Sequence, residues 1–363
     1  MSNALSQESA LARQLVSEIA AAAGRIGRTV KLMEVCGTHT VELRKQGIHS
    51  LLPREVVLVS GPGCPVCVTP SGYIDNAMRL VTEGRAVVAT FGDLMKVPGA
   101  SGRTLASLSA TGRVRMVYSP SELVRAARES SLPVVFLAVG FETTVPTVVS
   151  ALLEAREQGV RNLLLYTAFK TVPPALRFLL SDPSHGMDGF ILPGHVSVII
   201  GSDAYAFLER PGGRSGVVTG FDGMDMLVGI LSLLRLVEAG ERRVRNAYPR
   251  AVSRKGNERA QEIMARTLQP RSETWRGLGV VPDAALGLRE HLADADAERV
   301  LGIPPAEDRE APGCLCSRVI AGAARPPQCG LFGKRCTPDD PVGPCMVSSE
   351  GTCAAWFRYG ADR

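Results

Sequence analysis

From Val30 to Val218 the chain repeats one pattern: a short β-branched apolar run, a loop rich in Gly, Pro, Thr or Ser, then an amphipathic segment with helical spacing. Strands buried on both faces read as continuous apolar runs, and alternation with helices predicts an α/β architecture with largely parallel sheets. The predicted strands are Val30–Val35, Val56–Val59, Ala86–Thr90, Val114–Tyr118, Pro133–Val139, Asn162–Tyr166, Gly189–Leu192 and Gly216–Val218. That many strands suggest two doubly wound parallel-sheet units. The helical segment Pro120–Ser130 is the expected hinge between them, giving one unit over 1–122 and a second over 123–222. After Phe221 the pattern changes. Met224–Glu238 and Asn257–Leu268 read as helices, no later run reads as a strong strand, and 223–363 is expected to form a mostly helical, loop-rich third module.

Composition narrows the function classes. A chain of 363 residues with 45% hydrophobic content can bury a large core. The opening segment mixes charged and apolar positions without a basic leader and apolar block, so no signal peptide is expected. No run of about 18 apolar residues offers a membrane span. The densest basic stretch, Glu241–Ala260, interleaves arginines with glutamates and apolar residues, as a solvated helical face does. With aromatic residues at 5% there is little material for base stacking, so nucleic-acid binding is set aside. Neither a G-x-x-x-x-G-K-[ST] phosphate loop nor a G-x-G-x-x-G turn occurs. Nine cysteines without a secretory leader point to metal or redox chemistry in a cytoplasmic protein rather than to a disulfide framework.

Three groups of residues carry candidate chemistry. The first strand runs into Glu34-Val-Cys-Gly-Thr-His-Thr40, placing Cys36, Thr38 and His39 beyond a strand's carboxyl end, where open α/β sheets bind ligands. A thiol beside an imidazole is expected to ionise more readily; a buried Cys with a structural His is the bland alternative. The second strand runs into Val59-Ser-Gly-Pro-Gly-Cys-Pro-Val-Cys67. There Gly61 and Gly63 are expected to permit positive φ, and Cys64 and Cys67 form a C-x-x-C at a helix N-terminus, suited to a reversible disulfide or to half a zinc knuckle.

The third group lies in Ala311–Arg363, which holds six of the nine cysteines. Cys314, Cys329, Cys336 and Cys353 are separated by fourteen, six and sixteen residues, with Cys316 and Cys345 interspersed. Four thiolates in a tail with little core suit a [4Fe–4S] cluster or an all-cysteine zinc site, and spacing leaves that choice open. Polar loops also follow other strands: Phe91–Asp93, Tyr118–Pro120, Gly140–Thr144 and Pro193–Ser197. They imply an inter-domain cleft, with Glu142 and His195 as the groups expected to face it.

Taken in order, CGTHT (36–40), GPGCPVCVTP (61–70), GFETT (140–144), PGHVS (193–197), WRGLG (275–279), LFGKRCTP (331–338) and MVSSEG (346–351) resemble the HypD family of hydrogenase maturation factors. The resemblance runs from about Lys31 to Trp356. One departure is Gly220-Phe-Asp-Gly-Met-Asp225, where the family is expected to carry Glu-Pro after Gly-Phe.

The resemblance implies a scaffold, rather than a conventional turnover enzyme, that builds the Fe(CN)2CO group of [NiFe]-hydrogenases with a HypC-like chaperone and a HypE-like cyanide donor. It implies a [4Fe–4S] cluster on Cys314, Cys329, Cys336 and Cys353, and leaves Cys316 and Cys345 outside the ligand set. Low-spin iron carrying cyanide and CO suits a thiolate ligand, so Cys36 is the expected iron ligand, with His39 tuning it or supplying a proton. Cys64 and Cys67 then pass electrons between cluster and iron, provided the tail folds back onto them. The alternative reading is a stand-alone iron–sulfur thiol–disulfide oxidoreductase. A zinc-stapled binding module is a third.

Overall fold

The structure, a computed structural model, describes residues 2–182 and 186–360, with side chains left undescribed before residue 9. All eight predicted strands are present. They are β1 (Val30–Glu34), β2 (Val56–Ser60), β3 (Val87–Thr90), β4 (Val114–Met116), β5 (Val134–Gly140), β6 (Leu163–Lys170), β7 (Gly189–Pro193) and β8 (Ser215–Thr219). Every residue of β5 and β6 is buried, which is why 134–139 and 163–166 read as unbroken apolar runs. The one cation in β5 and β6, Lys170, is paired with Glu273 at 3.1 Å.

Three strands went unpredicted: β9 (Val244–Asn246), β10 (Leu268–Trp275) and β11 (Gly279–Leu288). Their sequences carry charges and the prolines Pro270 and Pro282, which argue against a central strand. β10 lies at a sheet edge, and the part of β11 that pairs with β6, Ala285 and Leu286, lies beyond Pro282. The expectation of no strong strand after Phe221 is therefore corrected. Its two predicted helices do form, as Gly223–Glu238 and Glu258–Thr267.

The strands make two sheets. One, in the order β2-β1-β7-β8-β9, is wholly parallel; the other, β10-β11-β6-β5-β3-β4, is parallel except for the β10–β11 hairpin and its antiparallel join to β6. The chain passes between sheets after β2, β6 and β9. The expected hinge, a helix over Glu122–Arg128, joins β4 and β5 of one sheet, so the sheets do not divide at residue 122. The reason is physical: strand periodicity reports local burial, whereas sheet membership is decided by long-range pairing.

Helices Ser2–Ile26 and Gly223–Glu238 cover one face of the first sheet, burying Ile19, Leu32, Ile191 and Leu234. On its other side a shared core joins Met33 and Phe190 to Trp275 and Val281 of the second sheet, and the same core takes in Cys64, Cys67, Cys316 and Cys345. The cysteine-rich tail is thus packed into the body of the protein. Among the described residues no helix is long and apolar enough to cross a membrane.

Candidate functional site

The site is built where β1 and β2 end side by side. Cys36 leaves β1 in an extended conformation and starts the helix Gly37–Lys45. Cys64 starts the short helix Pro65–Val68 after β2, its sulfur accepting the Cys67 amide at 3.2 Å. Cys64 and Cys67 are joined as a disulfide with Cα atoms 5.2 Å apart, within the usual range for such a bridge.

The two motifs are stacked backbone on backbone. The Gly37 amide donates to the Gly63 carbonyl at 2.7 Å, and a Cβ on Gly63 would stand 2.3 Å from the Cys36 nitrogen. Neither Gly61 nor Gly63 has positive φ. The expected conformational role is therefore corrected: Gly63 is required because nothing larger fits against Cys36.

Cys36 is buried, and burial, reinforced by the nearby Glu350 carboxylate, pushes its thiol up to about 11. The amides of Thr38 and His39 and the Thr38 hydroxyl act in the opposite sense without prevailing. The isolated chain therefore holds Cys36 as a thiol, contrary to the expected ready ionisation. The His39 ring does not account for it. Its Nε2 lies 2.9 Å from the Gly220 carbonyl and 3.0 Å from the Thr219 hydroxyl, and its face stacks on Phe221 at 4.6 Å. Burial lowers this imidazole to about 4, keeping it neutral.

Phe221 is clasped between two histidines, because His195 stacks on it at 3.9 Å. His195 is also lowered by burial. The divergent 220–225 loop thereby gains a structural account. Asp222 caps the helix Gly223–Glu238 by accepting the Asp225 amide at 2.7 Å, and Arg250 pairs with both aspartates. Glu142, by contrast, is buried. Its Oε1 accepts the Val172 amide at 2.9 Å, and burial pushes it up to about 7.

The tail docks onto both motifs. The Cys67 sulfur lies 3.9 Å from the carbonyl oxygen of Pro344, the neighbour of Cys345. Cys64, Cys67, Cys345 and Glu350 line a common space of about 10 Å³. Glu350 accepts the Thr38 hydroxyl at 2.7 Å, and a Cβ on Gly37 would collide with the Glu350 Cβ at 2.5 Å. The turn carrying Glu350 is held from the second sheet, where Asp93 beyond β3 accepts the Ser348 hydroxyl at 3.0 Å. Neither Glu350 nor Asp93 stands out in the sequence as a site residue. No local pattern shows that Glu350 lies beside Cys36 or that Asp93 holds its turn.

Cys316 and Cys345 are buried between the other thiols. The Cys314 and Cys345 thiols bond to Cys316 and, with Arg276 nearby, hold it well below the usual thiol range; Cys345 is raised by Cys316 and Cys353. Arg276 is itself buried, its amide on the Val68 carbonyl at 2.8 Å and its guanidinium paired with Asp308 at 3.1 Å. Burial raises the Cys336 thiol, and its sulfur accepts the Val342 amide at 3.4 Å. A Cβ on Gly343 would come 3.1 Å from the Cys314 sulfur.

Cys314, Cys329, Cys336 and Cys353 are the tail residues that could hold an iron–sulfur group. Their chemistry is four thiols with an amide donor to sulfur, in a segment whose backbone glycine leaves room beside them. They do not close on one point: among the described residues no three His, Cys, Asp or Glu side chains converge tightly enough to hold a single metal ion, as a tetrahedral zinc with sulfurs at about 2.3 Å requires.

The family profile described as "HypD: Hydrogenase formation hypA family" matches residues 10–360. The hydrogenase expression/formation protein HupD of Azotobacter chroococcum mcd 1 is 42% identical over 366 residues, covering 98% of this chain and 96% of that protein. The hydrogenase maturation factor HypD of Azotobacter vinelandii is 41% identical with the same coverage, and that of Escherichia coli K12 is 40% identical over 92% of this chain and 90% of its own length. With a full-length family match and relatives of this identity, the chain belongs to the HypD family.

Proposed function

We propose that this chain is a cytoplasmic [NiFe]-hydrogenase maturation scaffold which, with a HypC-like chaperone, holds iron while its cyanide and CO ligands are assembled. The observation that carries the reading is the convergence of sulfur from three stretches of chain: Cys36 against the Cys64–Cys67 loop, and that loop against the Cys345 segment of the tail. The iron is cargo. Cys36 is its ligand on this protein, and the HypC-like partner contributes a second thiolate. Burial opposes a free thiolate at Cys36, so ionisation accompanies capture of the cationic metal, which holds Cys36 as thiolate by direct bonding. A HypE-like protein delivers cyanide.

Cys314, Cys329, Cys336 and Cys353 hold a [4Fe–4S] cluster, which supplies one-electron transfer when bound. The Cys64–Cys67 disulfide would become the dithiol by taking up two protons and two electrons, supplied in two successive one-electron steps by a cluster that an external donor re-reduces, and would pass the electrons to the iron site as the bridge re-forms. Cys316 and Cys345 occupy the space between the ligand cysteines and this pair, so the route of the electrons runs past their sulfurs.

The test is anaerobic copurification of C64S/C67S with a HypC-like partner, read by infrared spectroscopy and visible absorbance. The relay requires loss of the cyanide and CO bands, with the broad absorption near roughly 400 nm retained. Normal bands in the double variant would refute it. If no HypC-like chain copurifies with the unmodified protein, the stand-alone oxidoreductase reading takes over.

A further inference from the structure

The turn of the β10–β11 hairpin, Trp275-Arg-Gly-Leu-Gly279, has no part in the maturation chemistry proposed above. It closes through the Leu278 amide on the Trp275 carbonyl at 3.1 Å, and Gly277 takes the left-handed φ of +82° that favours glycine at the third position of such a turn. The turn touches both halves of the sulfur site. The Arg276 amide donates to the carbonyl of Val68, the residue after Cys67, at 2.8 Å. A Cβ on Gly277 would stand 2.5 Å from the carbonyl oxygen of Ser317, the residue after Cys316. The hairpin is thus wedged between the helix that Cys64 starts and the tail helix Cys316–Ile320.

The Arg276 side chain fastens the wedge. It is 3% exposed, and its guanidinium donates to the Thr69 carbonyl at 3.3 Å and pairs with Asp308 at 3.1 Å. Asp308 also accepts the Ser71 amide at 3.2 Å, so its carboxylate ties the segment before Cys314 to the start of the helix Ser71–Thr82, which follows the C-x-x-C turn. Fastening alone does not call for an ion pair, because apolar residues of similar volume hold a buried contact as well or better. What the guanidinium adds, on carbonyls one and two residues beyond Cys67, is a fixed positive charge.

We propose that Arg276 is a positioning residue for the redox pair: it seats Cys64 and Cys67 against the tail, and its charge favours their reduced state. On the relay reading given above, from which this role follows, the electrons are those delivered through the tail. Two electrons and one proton break the S–S bond into one thiol and one thiolate, and a second proton completes the dithiol. Burial disfavours the thiolate, and a cation held beside it offsets that penalty. Asp308 opposes Arg276 in this, so the two residues act on the pair with opposite sign.

The experiment equilibrates the anaerobic full chain in mixtures of reduced and oxidised glutathione at about pH 8.5, near the ordinary thiol value. Free thiols are trapped by alkylation, and the Cys64–Cys67 disulfide is quantified by peptide mass spectrometry. R276Q is expected to shift the equilibrium about tenfold toward the disulfide, as a change of about one pKa unit in the thiolate would, while R276K keeps the charge and shifts it less. D308N leaves the cation unopposed and shifts the equilibrium toward the dithiol. Loosened packing would move both variants the same way, and circular dichroism checks that each is folded. An unmoved equilibrium in R276Q, a shift of the same sign in D308N, or R276K no nearer the unmodified chain than R276Q overturns the proposal. If Cys64 and Cys67 of the unmodified chain do not cycle reversibly in these mixtures, the relay reading itself falls, and this role with it.

Discussion

Gly63→Ala tests the claim that the iron-site cysteine and the redox pair are held by direct contact of their backbones. The added methyl would sit 2.3 Å from the Cys36 nitrogen and 2.6 Å from its Cα. Both are main-chain atoms at the mouth of β1, pinned by the pairing of Glu34 with Ser60, so no side chain can swing aside. Overpacking against such a wall costs about 1–3 kcal/mol. Moving the loop instead breaks the 2.7 Å bond from Gly37 to Gly63, worth about 0.5–1.5 kcal/mol. A loss of about 1.5–4.5 kcal/mol follows if both happen. Two other glycines calibrate the result. A methyl on Gly61 meets the flexible end of Met33 at 2.7 Å and should cost less. A methyl on Gly24, inside the first helix, meets nothing within 4 Å, and G24A should be neutral or stabilising by about 0.5–1 kcal/mol. The assay is urea unfolding of all three variants under anaerobic conditions, with refolding checked for reversibility. If G63A unfolds at the same urea concentration as the unmodified chain, or if G61A is hit harder, the close-approach argument fails.

Alkylation of Cys36 by iodoacetamide, followed by peptide mass spectrometry, should be slow at pH 8 and rise steeply as pH approaches 11; rapid labelling near neutrality would contradict a buried, protonated thiol. His39 sets an acid limb. Its folded value of about 4 lies below the unfolded value near 6.5, so the unfolded chain protonates first, and stability present above pH 6.5 is lost as pH falls toward 4, by on the order of 3 kcal/mol. Glu34 and Glu142, both raised to about 7, act oppositely, losing stability as pH rises from about 4.5 to 7. The measurement is therefore the difference between the unmodified chain and H39Q across pH 7 to 4.5; a gap independent of pH rejects the assignment. F221L removes both histidine stacks and should cost about 1–3 kcal/mol while raising the titration midpoint of His195, as read by NMR. An unmoved His195 would separate its depression from Phe221.

The sequence by itself determined the strands that are buried on both faces. β5 and the first half of β6 are apolar throughout, and the helices between the strands carry a second, longer period, so both were legible without a structure. β10 and β11 escaped because edge position and hairpin geometry tolerate proline and charge, and nothing local distinguishes such segments from loop. Likewise the cysteines and histidines of the site announced themselves as residue types at strand ends. Their surroundings did not. Which sheet each strand joins, the seating of Gly63 on Cys36, the turning of His39 toward Gly220, and the arrival of Glu350 from more than three hundred residues away are all products of long-range packing. Protonation follows the same division: a Cys next to a His in sequence suggests a reactive thiolate, yet the solvent excluded by packing and the carboxylate brought in by the tail leave Cys36 a thiol until a metal claims it.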